Sequence, residues 1–136
     1  MIIQSILVSG GNEELGWRGV LQPEFEKKMK FPIATLATAA IWTCWHLPFW
    51  FTKGDMHQDI SFAVFFVLCI LMSFMLAAIR KRTNCIGYCA IMHGVSNVIT
   101  SLFVMGANLK LGIGFIIILA TAIVLWNSSE ENKQET

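Results

Sequence analysis

Charge is scarce in this chain of 136 residues: acidic and basic side chains together make up 14% of it, against 55% hydrophobic residues. A soluble domain carries about 25% charged residues, so the composition argues for a membrane protein. The two signs nearly cancel, with ten lysines and arginines against nine aspartates and glutamates. No basic field is left for a nucleic-acid backbone, and nucleic acid is excluded as a partner. Internal repeats, low-complexity blocks and linkers are also lacking, which makes a single domain over residues 1–136 the expectation. The apolar stretch Met1–Ser9 has no basic run before it and no small-residue cleavage site after it, so a removable signal peptide is not expected. It is too short to cross a bilayer by itself and reads as the end of a helix. The four cysteines, Cys44, Cys69, Cys85 and Cys89, all fall in apolar stretches and read as small packing residues without chemistry.

What the chain does contain is long uncharged runs: Phe31–Phe51, Ile60–Ile79, Thr83–Leu109 and the shorter Leu111–Trp126. Roughly 20 apolar residues span a bilayer as a helix, so the fold class expected is all-α, a multi-pass transmembrane helical bundle of about four to five helices. Basic residues gather in Lys27-Lys28-Met29-Lys30 and Arg80-Lys81-Arg82, separated by two spans. Both clusters then face one side, and the positive-inside tendency makes it the cytoplasm. Residues 127–136 become a polar cytoplasmic tail, and Lys53–Asp59 lies outside. Leu21–Lys30 reads as a short amphipathic helix or turn at the interface. Pro32 suits the first turn of the next span, and Pro48 is expected to kink or end that span just after His46.

Against this apolar background six polar residues stand out: Glu13, Glu14, Arg18, His46, His93 and Asn97. Burying such groups in a bilayer is costly, so function is the leading explanation for them. Glu14 and Arg18 are four residues apart, as are His93 and Asn97, and Trp42 and His46; each pair shares a helix face. Glu13 points elsewhere than Glu14, so one carboxylate pairs with Arg18 while the other faces a different partner. Counting from the basic loop near Met29–Lys30, Glu13 and His46 reach similar depth at about 1.5 Å per residue. His93 comes out about one turn shallower, a difference that helix tilt absorbs. Each residue alone has a plainer reading: a structural ion pair for Glu14 and Arg18, interhelical glue for Asn97, a backbone hydrogen bond for either histidine. Two carboxylates, an arginine, two histidines and an amide together read as a hydrolytic site. His57, in the loop beside Asp55 and Asp59, is given no role.

The stretch Glu-Glu-Leu-Gly-Trp-Arg-Gly (13–19), the helix end at His46-Leu47-Pro48 and His93-Gly94-Val95-Ser96-Asn97 resemble the three motifs of the CPBP (Abi, CAAX-protease-like) intramembrane peptidases. Glu-Glu-x-x-x-Arg and His-x-x-x-Asn are intact. The second motif, usually Phe-x-x-x-His, has Trp42 at its aromatic position. Order and separation fit from Gly10 to Trp126. Family members usually have several more helices before the first motif, so the chain reads as a short or N-terminally truncated form. A second copy could replace the missing part, which would make it a homo-oligomer.

The resemblance implies a multi-pass bacterial cell-membrane endopeptidase, with the bilayer as surroundings and a peptide or protein as substrate, either prenylated or of bacteriocin type. It implies that Glu13 and His46 activate a water, that His93 and Asn97 donate to the developing oxyanion, and that Glu14 and Arg18 hold the first motif rigid. The family is often labelled metalloprotease, so a divalent metal such as zinc is an alternative, with Glu13, His46 and His93 as ligands. The chain lacks the His-Glu-x-x-His pattern that would demand one. Two further readings stand beside the peptidase: a non-catalytic immunity or chaperone-like membrane protein that keeps the family site, and a transporter or proton relay.

Overall fold

The computed structural model describes residues 2–104, and helix is the only regular structure among them. A short α1 (Ile2–Leu7) leads into a continuous helical run over residues 11–26, here α2. Next come α3 (Phe31–His46), α4 (Phe62–Thr83) and α5 (Ile86–Val104). The all-α expectation holds, and Met1–Ser9, read as the end of a helix, is helical over Ile2–Leu7.

The local signals that start and stop these helices are in the sequence. Pro32 sits in the first turn of α3, after Lys30 in extended conformation. A ring nitrogen without a hydrogen is harmless there, because the first-turn N–H groups have no helical partner. Helix α3 ends at His46, and the chain tightens into a 3-10 turn over Leu47–Phe51 that contains Pro48. Ser61 caps α4 by accepting a hydrogen bond from the Val64 N–H at 3.3 Å. Asn84 closes α4 in the left-handed conformation, φ 52°, its N–H donating to the Arg80 carbonyl at 2.9 Å. Arg80, Lys81 and Arg82 lie in that last turn, where the helix dipole favours cations.

Helix α2 is irregular: a 3-10 turn Gly11–Glu13, an α-turn Glu14–Gly16, a π-turn Trp17–Leu21 and an α-segment Gln22–Glu26. The first motif spans this irregularity, and π-turns are frequent at functional sites.

Packing runs α3 against α4, α4 against α5, and α1 against α5. The apolar core is small: Met75, Leu76, Ile79 and Cys89, flanked by Met72 and Met92. Elsewhere the usual partition is reversed. The buried face of α3 is Ala34, Thr35, Thr38, Ala39, Trp42 and Thr43, while Ile33, Leu36, Ile41 and Trp45 are exposed. The three threonine hydroxyls donate to carbonyls four residues back, at 2.8 to 3.0 Å. Among the largest fully buried side chains are Arg18, Gln22 and Glu14. Small and polar residues inside with large apolar residues outside is the arrangement a lipid surround favours.

One helix among the described residues, Phe62–Thr83, is long and apolar enough to cross a membrane, with mean hydropathy 2.8. The expected span Phe31–Phe51 is divided by the change of helix type at His46, which leaves α3 with 16 residues. Leu111–Trp126 and the tail 127–136 lie outside the described residues. The cysteines divide: Cys69 and Cys89 are buried, as packing residues are, whereas Cys44 and Cys85 are exposed.

Candidate active site

Helix α2 presents its polar side chains as two neighbouring pairs, Glu13 with Trp17 and Glu14 with Arg18, each four residues apart. The inner pair is a buried ion pair, Arg18 Nη1 to Glu14 Oε1 at 3.1 Å, with both side chains 0% exposed. The same Oε1 lies 2.8 Å from His93 Nδ1 on α5. Because that oxygen already accepts from the guanidinium, the imidazole is the donor. His93 thus carries its hydrogen on Nδ1 and turns Nε2 to the other side. Buried charges persist where they are paired and hydrogen-bonded in this way.

Glu13 is held differently. Its Oε2 accepts two indole N–H groups, from Trp17 at 3.1 Å and from Trp42 at 2.9 Å. Trp42 is also where the elements converge. The Arg18 guanidinium carbon stands 5.1 Å from the centre of its ring, in cation–π range. The His93 and His46 rings meet it edge to face, with centroids at 5.1 and 6.0 Å.

His46 closes α3 with its Nδ1 2.9 Å from the Trp42 carbonyl. A carbonyl can only accept, so this nitrogen also carries the hydrogen and Nε2 is the lone-pair nitrogen. Its ring adjoins Phe49, Phe65 and His57, at 5.8, 5.3 and 5.8 Å between centroids. His57, left without a role above, therefore packs on a candidate residue. It is held by Asp55 through Nδ1 to Oδ1 at 2.6 Å and stacks on Phe49.

Asn97 donates from Nδ2 to the Ser9 carbonyl at 2.8 Å, tying α5 to the segment before α2. Gly10, next in the chain, has φ +123°, a conformation L side chains rarely adopt. A Cβ there would lie 2.8 Å from His93 Nε2 and closer still to the Asn97 amide nitrogen. The main chain at Gly10 thus runs directly against the face where His93 and Asn97 present their nitrogens.

The six sequence candidates thus fall into two groups. Glu13, Glu14, Arg18 and His93 gather around Trp42, with Asn97 joined through Ser9 and Gly10. His46 stands at the other edge of the same indole and has no hydrogen bond to Glu13 or His93 among the described residues. Glu14 does more than brace the first motif, because it also fixes His93. Two participants were not singled out in the sequence as partners of Glu13. Trp17 was accessible from its spacing of four from Glu13; the Trp42 contact crosses between helices and has no local signal.

The metal alternative does not find its ligand set. Among the described residues no three His, Cys, Asp or Glu side chains come together to hold an ion.

A family model described as type II CAAX prenyl endopeptidase Rce1-like matches residues 1–99. That stretch contains every residue of the cluster. No curated protein and no solved structure matches.

Proposed function

The chain belongs to the type II CAAX prenyl endopeptidase Rce1-like family, and from that premise we propose that it is an intramembrane endopeptidase using a water activated between Glu13 and His46. The observation that carries this reading is the convergence of ionisable side chains from three helices around one buried indole, in a chain whose large apolar residues face outward.

In the reaction, Oε1 of Glu13 and Nε2 of His46 orient a water and take one proton as its oxygen attacks the scissile carbonyl. Charge then develops on the carbonyl oxygen. The second N–H of Asn97 and Nε2 of His93 are the nearby donors, set against the Gly10 main chain. His93 Nδ1–H is committed to Glu14, so Nε2 donates only with a second ring proton drawn from solvent, beside the Glu14 carboxylate that the ring shares with Arg18. Collapse of the intermediate breaks the C–N bond, and the proton taken from water passes to the leaving amine. The family premise makes a prenylated C-terminal peptide the substrate class to test first, in a multi-pass fold with both basic clusters cytoplasmic.

The test is the full chain in proteoliposomes with a farnesylated peptide ending in a CAAX sequence, and mass spectrometry of the products. Release of the last three residues is expected, with Glu13→Ala reducing it more than about 100-fold, a loss of ~2.7 kcal/mol in barrier stabilisation. Cleavage should survive exhaustive chelation. Full cleavage by Glu13→Ala at normal protein level would overturn the role of Glu13; no cleavage by the wild-type chain would overturn the peptidase reading and favour an immunity or chaperone-like protein that binds without cutting.

A further inference from the structure

Trp42 makes two hydrogen bonds with different parts of itself. Its indole Nε1 donates to Glu13 Oε2 at 2.9 Å, and its main-chain carbonyl accepts from His46 Nδ1 at 2.9 Å. We infer that Trp42, assisted by Trp17, is the positioning residue of the water-activating pair: one residue fixes both the carboxylate and the imidazole, and it decides which oxygen of Glu13 reacts.

The carboxylate has two oxygens and one rotatable bond that exchanges them. Both indole donors converge on Oε2, from Trp17 on α2 and Trp42 on α3. A half-turn about that bond would bring Oε1 to the same two donors, but intermediate orientations lose both bonds. The carboxylate plane is therefore locked, with one oxygen anchored and the other, free of any partner among the described residues, available to take a proton. Arg18 over the Trp42 ring strengthens the anchor, because a cation on the π face draws electron density from the indole and makes its N–H a better donor. His46 cannot drift relative to Glu13 either, since its Nδ1 is bonded to the carbonyl of the residue whose side chain holds Glu13. In this role both indoles act through Glu13. The role in catalysis rests on the peptidase reading, whereas the clamp itself does not.

Trp42→Phe removes the N–H and keeps an aromatic ring and the main-chain carbonyl. In the farnesylated-peptide assay it should lower kcat about tenfold with KM unchanged, the scale of one hydrogen bond to a charged group. Trp17→Phe alone should cost less, and the double variant more than the sum, because either donor partly substitutes for the other. In a Glu13→Gln background neither change should cost anything further.

A second measurement is independent of activity. The chain has five tryptophans, and the indole N–H proton resonances of the full chain in detergent micelles report each one. Glu13→Gln should shift two of them, those lost in Trp17→Phe and Trp42→Phe, and leave three in place. If Glu13→Gln shifts neither, the clamp is overturned. An active wild type whose Trp42→Phe variant keeps kcat would overturn the positioning role. An inactive wild type with both resonances responding would instead sink the peptidase reading and leave the clamp standing.

Discussion

Gly10 shows how much a single residue can decide. Its φ of +123° and the close approach of His93 Nε2 and the Asn97 amide leave no room for a Cβ. Backbone strain of this kind costs about 1–3 kcal/mol for a residue with a side chain, and the methyl would sit where the proposed oxyanion donors face. Gly10→Ala should therefore abolish cleavage of the farnesylated peptide, by more than about 100-fold. Circular dichroism should still report wild-type helix content; a fully active Gly10→Ala would remove this face from the site. Glu14 carries a related lesson. The pair with Arg18 was legible as a spacing of four, but the bond to His93 joins residues 79 positions apart and has no sequence signal.

At the scale of elements, the loop between α3 and α4 is the part with an acid-sensitive anchor. Asp55 accepts the His57 main-chain N–H at 2.9 Å and the His57 ring N–H. Those bonds, the main-chain one first, hold its carboxyl below the ordinary aspartate range. A carboxyl with a lowered folded-state value stabilises the fold fully above its unfolded value of about 3.9 and loses that contribution as pH falls through the folded one. Loop protection should therefore stay level with respect to Asp55 from about pH 5 upward and fall below about pH 4. Limited proteolysis within Lys53–Asp59 across that range checks it, and Asp55→Asn should flatten the acid limb. The caps of α4 at Ser61 and Asn84 were not singled out in the sequence, whereas the end of α3 was readable because Pro48 acts through local geometry. The π-turn in α2 was not, since nothing in Trp17–Leu21 distinguishes its hydrogen-bond pattern from an ordinary α-turn.

For the whole molecule, the reversed partition of apolar and polar residues argues for lipid as the surrounding medium, and the basic clusters propose its orientation. Cys85 tests that orientation without any engineering. It is exposed and lies three residues after Arg82. In sealed cells a membrane-impermeant maleimide should fail to modify Cys85 until the cytoplasmic face is opened, as read by peptide mass spectrometry. Modification from outside would invert the topology.

The sequence by itself determined the helical class, the start and end of α3 at its prolines, the membrane character and the family, because composition, proline geometry and motif spacing are local properties. It also singled out the candidate residues of the site. Only the tertiary structure decided how they are joined: that two indoles anchor Glu13, that Glu14 reaches His93, and that His46 is linked to the cluster through Trp42 rather than directly. Those contacts depend on how α2, α3 and α5 pack. Interhelical packing is set by the shapes of many side chains at once, and no spacing along one chain encodes it.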